Sequence, residues 1–271
     1  MLDGLARAIH TKRAVLFVGA GVSMSLGLPS WGQLMNKIAE ELDYDPNIMM
    51  GPGVNYLTIA EFYKLEKGKI GGLRSWMDRE WSVDDAKLQA SKVHNQIVEL
   101  DFPFIYTTNY DRNIENIFKL KGMKHHKIAN AKDITLANPD IAHIVKFHGD
   151  FDDDLSMVLT ESDYFERLNF ETPLDIKFRS DILGRSVLFV GYSLTDLNMR
   201  LLLYKMQKMW KLSGYEGDRP PSYMFMTRPD PVQQRVLRSW GVETITMDVD
   251  NVEDALPNFF ETLIASVAAL K

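Results

Sequence analysis

Residues Ala14-Val15-Leu16-Phe17-Val18-Gly19-Ala20-Gly21-Val22-Ser23 decide how the chain folds. Five apolar residues in succession suit a strand buried on both faces, and two glycines, one residue apart, turn the chain sharply at its end. Working outward, strand-like runs of the same kind recur at Phe104–Thr107, Ile144–Phe147, Ser186–Val190, Tyr223–Thr227 and Glu243–Met247. Helical patterns follow most of them. After Ser193, Leu197, Leu201, Leu202, Met206 and Met209 recur at helical spacing, and Val252, Leu256, Phe259, Phe260, Leu263, Ile264 and Val267 do so near the end. Short buried strands alternating with helices predict βαβ units, and so an α/β fold with an open, doubly wound, Rossmann-like parallel sheet covered on both faces.

Two stretches do not fit simple βαβ crossovers. Residues ~35–100 are far longer than a connection of ~2–6 residues plus one helix, and their Trp, Tyr, Leu and Ile content predicts a packed helical insertion. Residues ~150–185 read as a shorter helical excursion, opened by the acidic run Asp150, Asp152, Asp153 and Asp154. Gly214–Pro221 reads as a surface turn. With 271 residues, and ~100–200 residues in an ordinary domain, the expectation is one domain over 1–271 that carries both excursions.

Composition narrows the chemistry. The absence of cysteine excludes disulfides, iron–sulfur clusters, a thiol nucleophile and Cys-ligated zinc. Thirty-one basic against 37 acidic residues give a net charge of −6, which argues against broad charge-driven binding of nucleic acid. No apolar run approaches the ~18–20 residues that span a bilayer. Asp3, Arg7 and His10 stand where a signal peptide needs its apolar stretch, so a cytoplasmic protein is expected.

The candidate site residues lie where predicted strands end. Gly19 and Gly21 allow close approach of backbone to a phosphate, yet position 24 is Met24 where the usual dinucleotide fingerprint has its third glycine. A phosphate-binding turn and an ordinary tight turn both fit, with the first helix expected after Ser30-Trp31. Thr108 with Asp111, and Ser193 with Asp196, have the spacing of a capping box, as do Thr160 with Asp163 and Ser30 with Gln33. On this scheme Asn109 has no capping role, and its amide is free for a ligand. His148 leaves the same edge of the sheet and, with an ordinary pKa of ~6.5, suits either a proton acceptor or a structural hydrogen-bonded residue. His125 and His126 are adjacent and cannot face one site from a strand, and His10, His94 and His143 have no partner at ligand spacing. No metal site is expected. Arg228, after Thr227, suits a surface salt bridge better than a ribose or phosphate contact.

In order along the chain, Gly19-Ala20-Gly21-Val22-Ser23 with Gly27-Leu28-Pro29, Thr107-Thr108-Asn109-Tyr110-Asp111, His148-Gly149 and Gly191-Tyr192-Ser193-Leu194 resemble the sirtuin superfamily. The resemblance implies an NAD site, with NAD as substrate. Gly19, Ala20, Gly21 and Ser23 would line the phosphates and adjoining ribose. Thr108 belongs to the matching cofactor-binding motif, and Asn109 and Asp111 would lie near the nicotinamide ribose. His148 would be the catalytic base, Gly191 and Ser193 would approach the adenosine half, and Trp31 would stand near the nicotinamide pocket. The four-cysteine zinc module of lysine-deacylating sirtuins has no counterpart in 150–185, so no zinc is expected. The chain is closer to the zinc-free bacterial sirtuin-like proteins of antiphage defence.

That resemblance implies hydrolysis of NAD to nicotinamide and ADP-ribose as an abortive-infection effector. The alternatives are protein deacylation or ADP-ribosylation, and a non-catalytic subunit that senses NAD or ADP-ribose. An unrestrained NAD hydrolase is toxic, so gating is expected through a homo-oligomer or a separate partner. In related systems that partner is a HerA-type hexameric ATPase, which would carry any DNA contact; neither direct nucleic-acid nor membrane binding is expected of this chain.

Overall fold

The computed structural model describes residues 2–29, 31–45, 55–153, 156–169, 171–192 and 197–270. The strands are β1 (Ala14–Val18), β2 (Phe104–Thr107), β3 (His125–Ile128), β4 (Ala142–Lys146), β5 (Ser186–Val190), β6 (Ser222–Phe225) and β7 (Val242–Ile245). They form one sheet in the order β3-β4-β2-β1-β5-β6-β7, and every pairing is parallel. The helices are α1 (Leu2–His10), α2 (Ala20–Met24), α3 (Trp31–Leu42), α4 (Tyr56–Lys67), α5 (Gly71–Glu80), α6 (Asp85–Ala90) and α7 (Lys92–Glu99) in the first part of the chain. There follow α8 (Asn113–Leu120), α9 (Ala131–Thr135), α10 (Glu161–Arg167), α11 (Pro173–Ile182), α12 (Leu197–Ser213), α13 (Pro231–Ser239) and α14 (Val252–Ala268).

The period-2 geometry of the strands divides their apolar residues between two cores. Leu16, Val18, Ile105, Ile144, Leu188 and Val190 face one layer, which α1, α7, α8 and α14 complete through Ile9, Ile97, Ile117 and Phe259. Val15, Phe17, Tyr106, Val145, Val187 and Phe189 face the other, completed by Phe178 of α11, Leu202 of α12 and Leu237 of α13. The sheet is thus doubly wound, as the apolar strands predict. Phe17 is the centre of the second core, with the rings of Tyr106, Phe147, Phe178, Phe189 and Tyr192 at 5.3–5.8 Å. Truncating such a residue to alanine costs about 3–5 kcal/mol.

A third core belongs to the segment between β1 and β2. Leu34 and Ile38 of α3, Ile59 and Tyr63 of α4, and Leu73 and Met77 of α5 pack with Tyr110, Phe151 and Leu159. This packing seats the helical segment on the loops that leave the carboxyl ends of β2 and β4. Helices α6 and α7 instead bury Leu88, Val93 and Ile97 in the first sheet core, so the self-packed part of the region is shorter than 35–100.

Several local expectations change. Strands β1, β2 and β5 run as read, but β4, β6 and β7 each begin and end one or two residues earlier than their apolar runs suggest. His125–Ile128 is an edge strand paired only with β4, which the sequence His-His-Lys-Ile does not announce. The first helix after β1 is α2, immediately past Gly19, and not one that begins after Ser30-Trp31. Thr108 and Asp111 do not form a capping box, because α8 starts only at Asn113. The box at Thr160 and Asp163 does form. The Ser193–Asp196 spacing and Ser30 of the Ser30–Gln33 spacing lie outside the described residues.

Candidate active site

Strands β4, β2, β1 and β5 are neighbours, and their carboxyl ends deliver the four motifs to one edge of the sheet. Register makes this specific. Val18 pairs with Thr107 and with Val190, and Thr107 pairs with Lys146. Ala20, Asn109, His148 and Tyr192 therefore each stand two residues beyond a single row of paired positions.

The turns of β1 and β5 are packed backbone to backbone. Gly19 N–H donates to the Val190 carbonyl at 2.8 Å, and Gly21 N–H to that of Gly191 at 3.0 Å. A Cβ on Gly19 would lie 2.6 Å from the Gly191 oxygen, and Gly191 itself has φ +72°. Close packing accounts for these glycines, and both amides are occupied within the protein. Exposed Ala20 is left on the open side of this turn.

The Thr107 hydroxyl donates to the Val18 carbonyl at 2.9 Å and accepts from Asn109 N–H at 3.0 Å, which places Asn109 at the turn. Asn109 is buried, and its Nδ2 donates to the Gly19 carbonyl at 3.1 Å and to Ser23 Oγ at 2.9 Å. A carbonyl can only accept, so this contact assigns the amide orientation. The nitrogen is therefore not free for a ligand. What Asn109 offers is the acceptor Oδ1. Ser23, buried in α2, closes the knot by donating to Asp111 Oδ2 at 2.7 Å, while Asp111 Oδ1 accepts from Asn113 N–H at 3.0 Å. Thr108 lies against Tyr192, hydroxyl to hydroxyl, at 3.0 Å.

His148 is almost fully buried, with the Tyr164 ring edge-on at 5.3 Å and Phe147 stacked at 6.0 Å. Burial, helped by the Arg167 guanidinium, pushes its pKa down to about 3, so the imidazole is neutral near pH 7. Its main chain is held on both sides. Val158 N–H donates to the His148 carbonyl at 2.9 Å. Gly149 has φ +89°, and a Cβ there would meet the Ser156 oxygen at 2.2 Å. Arg167 donates to the Phe147 carbonyl at 2.9 Å and pairs with buried Asp175 at 2.6 Å.

The structure thus brings Gly19, Ala20, Gly21, Ser23, Thr108, Asn109, Asp111, His148 and Gly191 to one edge of the sheet. Ser193 lies outside the described residues, and Trp31 is described only as the first residue of α3. Motif reading includes Thr107 but gives it no role, although it builds the Asn109 turn, and it misses Arg167, which braces the strand before His148. His94, which has no partner at ligand spacing in the sequence, comes near Asp111 in the fold. That ring sits fully buried in α7, where burial outweighs the attraction of Asp111 and holds its pKa down at about 4. Lys146 went unnoticed as well, although a lysine that closes the run Ile144-Val145 is a visible anomaly. Among the described residues, no cluster of His, Asp and Glu is placed to hold a metal, and no helix is long and apolar enough to cross a membrane.

Comparison with known proteins places this geometry in context. The sequence profile described as "SIR2-like domain" matches residues 103–245. The chain is 31% identical over 223 residues to "NAD(+) hydrolase ThsA" of Enterococcus faecium, covering 81% of this chain and 44% of that protein. It is 30% identical over 243 residues to "NAD(+) hydrolase ThsA" of Bacillus cereus, with 86% and 48% covered. Identity to "Defense-associated sirtuin 2" of Bacillus subtilis is 29% over 242 residues, with 86% and 22% covered. The chain therefore spans less than half the length of each of these relatives. A solved Sir2 homologue–NAD complex superposes with a TM-score of 0.51 at 13% identity, covering 98% of this chain and 93% of that one. A mutant Sir2 homologue–ADP-ribose complex gives 0.51 at 14% identity, covering 98% and 96%. At such identities the likeness speaks for the fold.

Proposed function

Because this chain belongs to the SIR2-like domain family, we propose that it cleaves NAD to nicotinamide and ADP-ribose. The observation that carries the reading is the register row that sets Asn109 and His148 each two residues beyond the ends of paired strands, with Asp111 tied to Asn109 through Ser23. In the reaction, the bond between the nicotinamide nitrogen and ribose C1′ breaks, and nicotinamide leaves with the bonding pair. C1′ gains oxocarbenium character until water adds to it. Asn109 Oδ1 is an acceptor held in fixed orientation, suited to a water or ribose hydroxyl. Asp111 supplies a buried negative charge that favours developing positive charge. Neutral His148 accepts a proton, directly or through a ribose hydroxyl, and passes it to solvent. Ala20, with Gly19, Gly21 and Gly191 shaping the turns, would border the phosphates and the adenosine half. Thr108, Ser193 and Trp31 complete the proposed binding set.

The same proposal includes a role in antiphage defence, in keeping with the relative named for it, and a cytoplasmic location. It also includes gating by self-assembly or by a HerA-type ATPase, for a chain organised as one domain with two helical excursions. One observation favours a second reading, in which the chain holds NAD without turnover: burial leaves His148 a weak base in this state. Nicotinamide release from NAD, measured for the parent and His148→Ala together, separates the two. Release by the parent alone supports hydrolysis, whereas saturable NAD binding without release supports the non-catalytic reading.

A further inference from the structure

The last residue of β4, Lys146, is wholly buried. Its Nζ donates to the carbonyl of Tyr110 at 3.3 Å and to that of Asp111, and lies 3.3 Å from Glu115 Oε1 and 3.8 Å from Asp150 Oδ2. Glu115 sits in the first turn of α8, and Asp150 follows His148-Gly149. The other oxygen of Asp150 accepts from Lys127 at 3.1 Å and from Asp152 N–H at 2.9 Å. Both oxygens of Glu115 and Oδ2 of Asp150 are buried with no hydrogen-bond partner, so the ammonium of Lys146 is their counter-charge.

Such a cluster is a costly way to fill a core. Desolvating a charged group costs several kcal/mol, and well-packed apolar residues often serve stability as well or better. The rest of β4 that faces this side is apolar, Ile144 being its nearest neighbour on the face. What an apolar residue could not supply is geometry. Lys146 joins the end of the strand that leads to His148 to backbone oxygens immediately beyond Asn109, and to Glu115 in the first turn of the helix that follows Asp111. Shifts of about 1 Å at a reacting centre can cost about 100-fold in rate.

We infer that Lys146 is a positioning residue, whose buried ammonium clamps the 109–111 turn in register with His148. Its kinetic consequence rests on the NAD-cleaving reading; its structural consequence does not. The test compares the parent, Lys146→Arg, Lys146→Met and Lys146→Met/Glu115→Gln, the last of which removes the carboxylate that the single Met change leaves unpaired, Asp150 keeping its ion pair with Lys127. Two quantities are read: hydrogen exchange of the 108–113 segment, and kcat against KM for nicotinamide release. Every substituted protein that melts cooperatively is expected to exchange this segment at least about tenfold faster. Their kcat is expected to fall, by about 100-fold for the Met proteins, with KM within about threefold of the parent. Lys146→Arg keeps the charge and so the fold, but its planar fork does not match both carbonyls. Parental exchange and kcat in Lys146→Arg or in the double variant overturn the inference, because charge balance alone would then account for Lys146. If the parent releases no nicotinamide, alone or with the proposed ATPase, the NAD-cleaving reading fails and the exchange comparison alone decides this one.

Discussion

The Ser23 hydroxyl donates to Asp111 Oδ2 at 2.7 Å while accepting from Asn109 Nδ2 at 2.9 Å. One small side chain on the first helical turn after β1 thereby orients two residues delivered by β2. Every proton in this knot has a defined acceptor, and both Asp111 oxygens are taken, by Ser23 and by Asn113 N–H. The sirtuin-like motif implies that Ser23 lines the phosphates and adjoining ribose; within the protein its hydroxyl ties Asn109 to Asp111.

Replacement of this hydroxyl is the direct check on that role. Ser23→Ala leaves Asp111 Oδ2 without its donor, and a buried group deprived of its partner costs about 1–3 kcal/mol. The expected outcome is a lower urea midpoint, together with a fall in kcat that exceeds any change in KM. An unchanged kcat would show that Asn109 and Asp111 keep their places unaided.

Gly149 predicts a sharp contrast between two glycines of similar φ. Gly149→Ala must push against the Ser156 backbone at 2.2 Å, whereas Gly68, at φ +71°, has nothing within 4 Å of the new Cβ. Gly68→Ala is expected to cost about 1 kcal/mol, the price of the left-handed backbone. Gly149→Ala is expected to cost several times more and to abolish nicotinamide release. Equal shifts in thermal midpoint would mean that the 156–158 segment yields easily.

Two buried histidines set a pH dependence of stability. Folding holds His148 down to about 3 and His94 down to about 4, against an ordinary value of about 6.5. Between these limits the unfolded chain binds more protons than the folded one, so stability falls as pH falls. The contribution is whole above about pH 6.5 and is lost progressively toward pH 4. In this window His94→Gln is expected to reduce the slope of unfolding free energy against pH by about one proton, read from urea titrations at several pH values. An unaltered slope would show that His94 is protonated in the folded state.

Gating by assembly makes a prediction about mass. Light scattering at micromolar concentration is expected to give a multi-subunit species, and dilution is expected to reduce nicotinamide release per subunit. A strict monomer with constant specific activity would remove self-assembly as the control and leave a separate partner.

What the sequence disclosed follows from how strongly each residue type reports its surroundings. β1, β2 and β5 are legible because a strand buried on both faces must be apolar throughout, as Ala14–Val18 and Ser186–Val190 nearly are. β3 is not, since an edge strand paired on one side tolerates His125, His126 and Lys127. Helix α2 was hidden by Gly19 and Gly21, whose spacing reads as a loop, although close packing on Gly191 is what requires them. The site motifs were legible by order and strand-end placement. Their bonding was not: Asn109 reads as a free amide until the fold sets the Gly19 carbonyl against it. Lys146 was visible as a misplaced charge, but its carbonyl partners depend on the paired register of β2 and β4.

The measurement that tests the central claim most directly is nicotinamide release from NAD by the parent and by His148→Ala at matched concentration, with both proteins melting alike. A positioned general base contributes about 100- to 10,000-fold. The account predicts release by the parent and a loss of at least about 100-fold in His148→Ala, with NAD still bound. Equal rates from the two proteins, or NAD bound by both and cleaved by neither even with the proposed ATPase added, would contradict it.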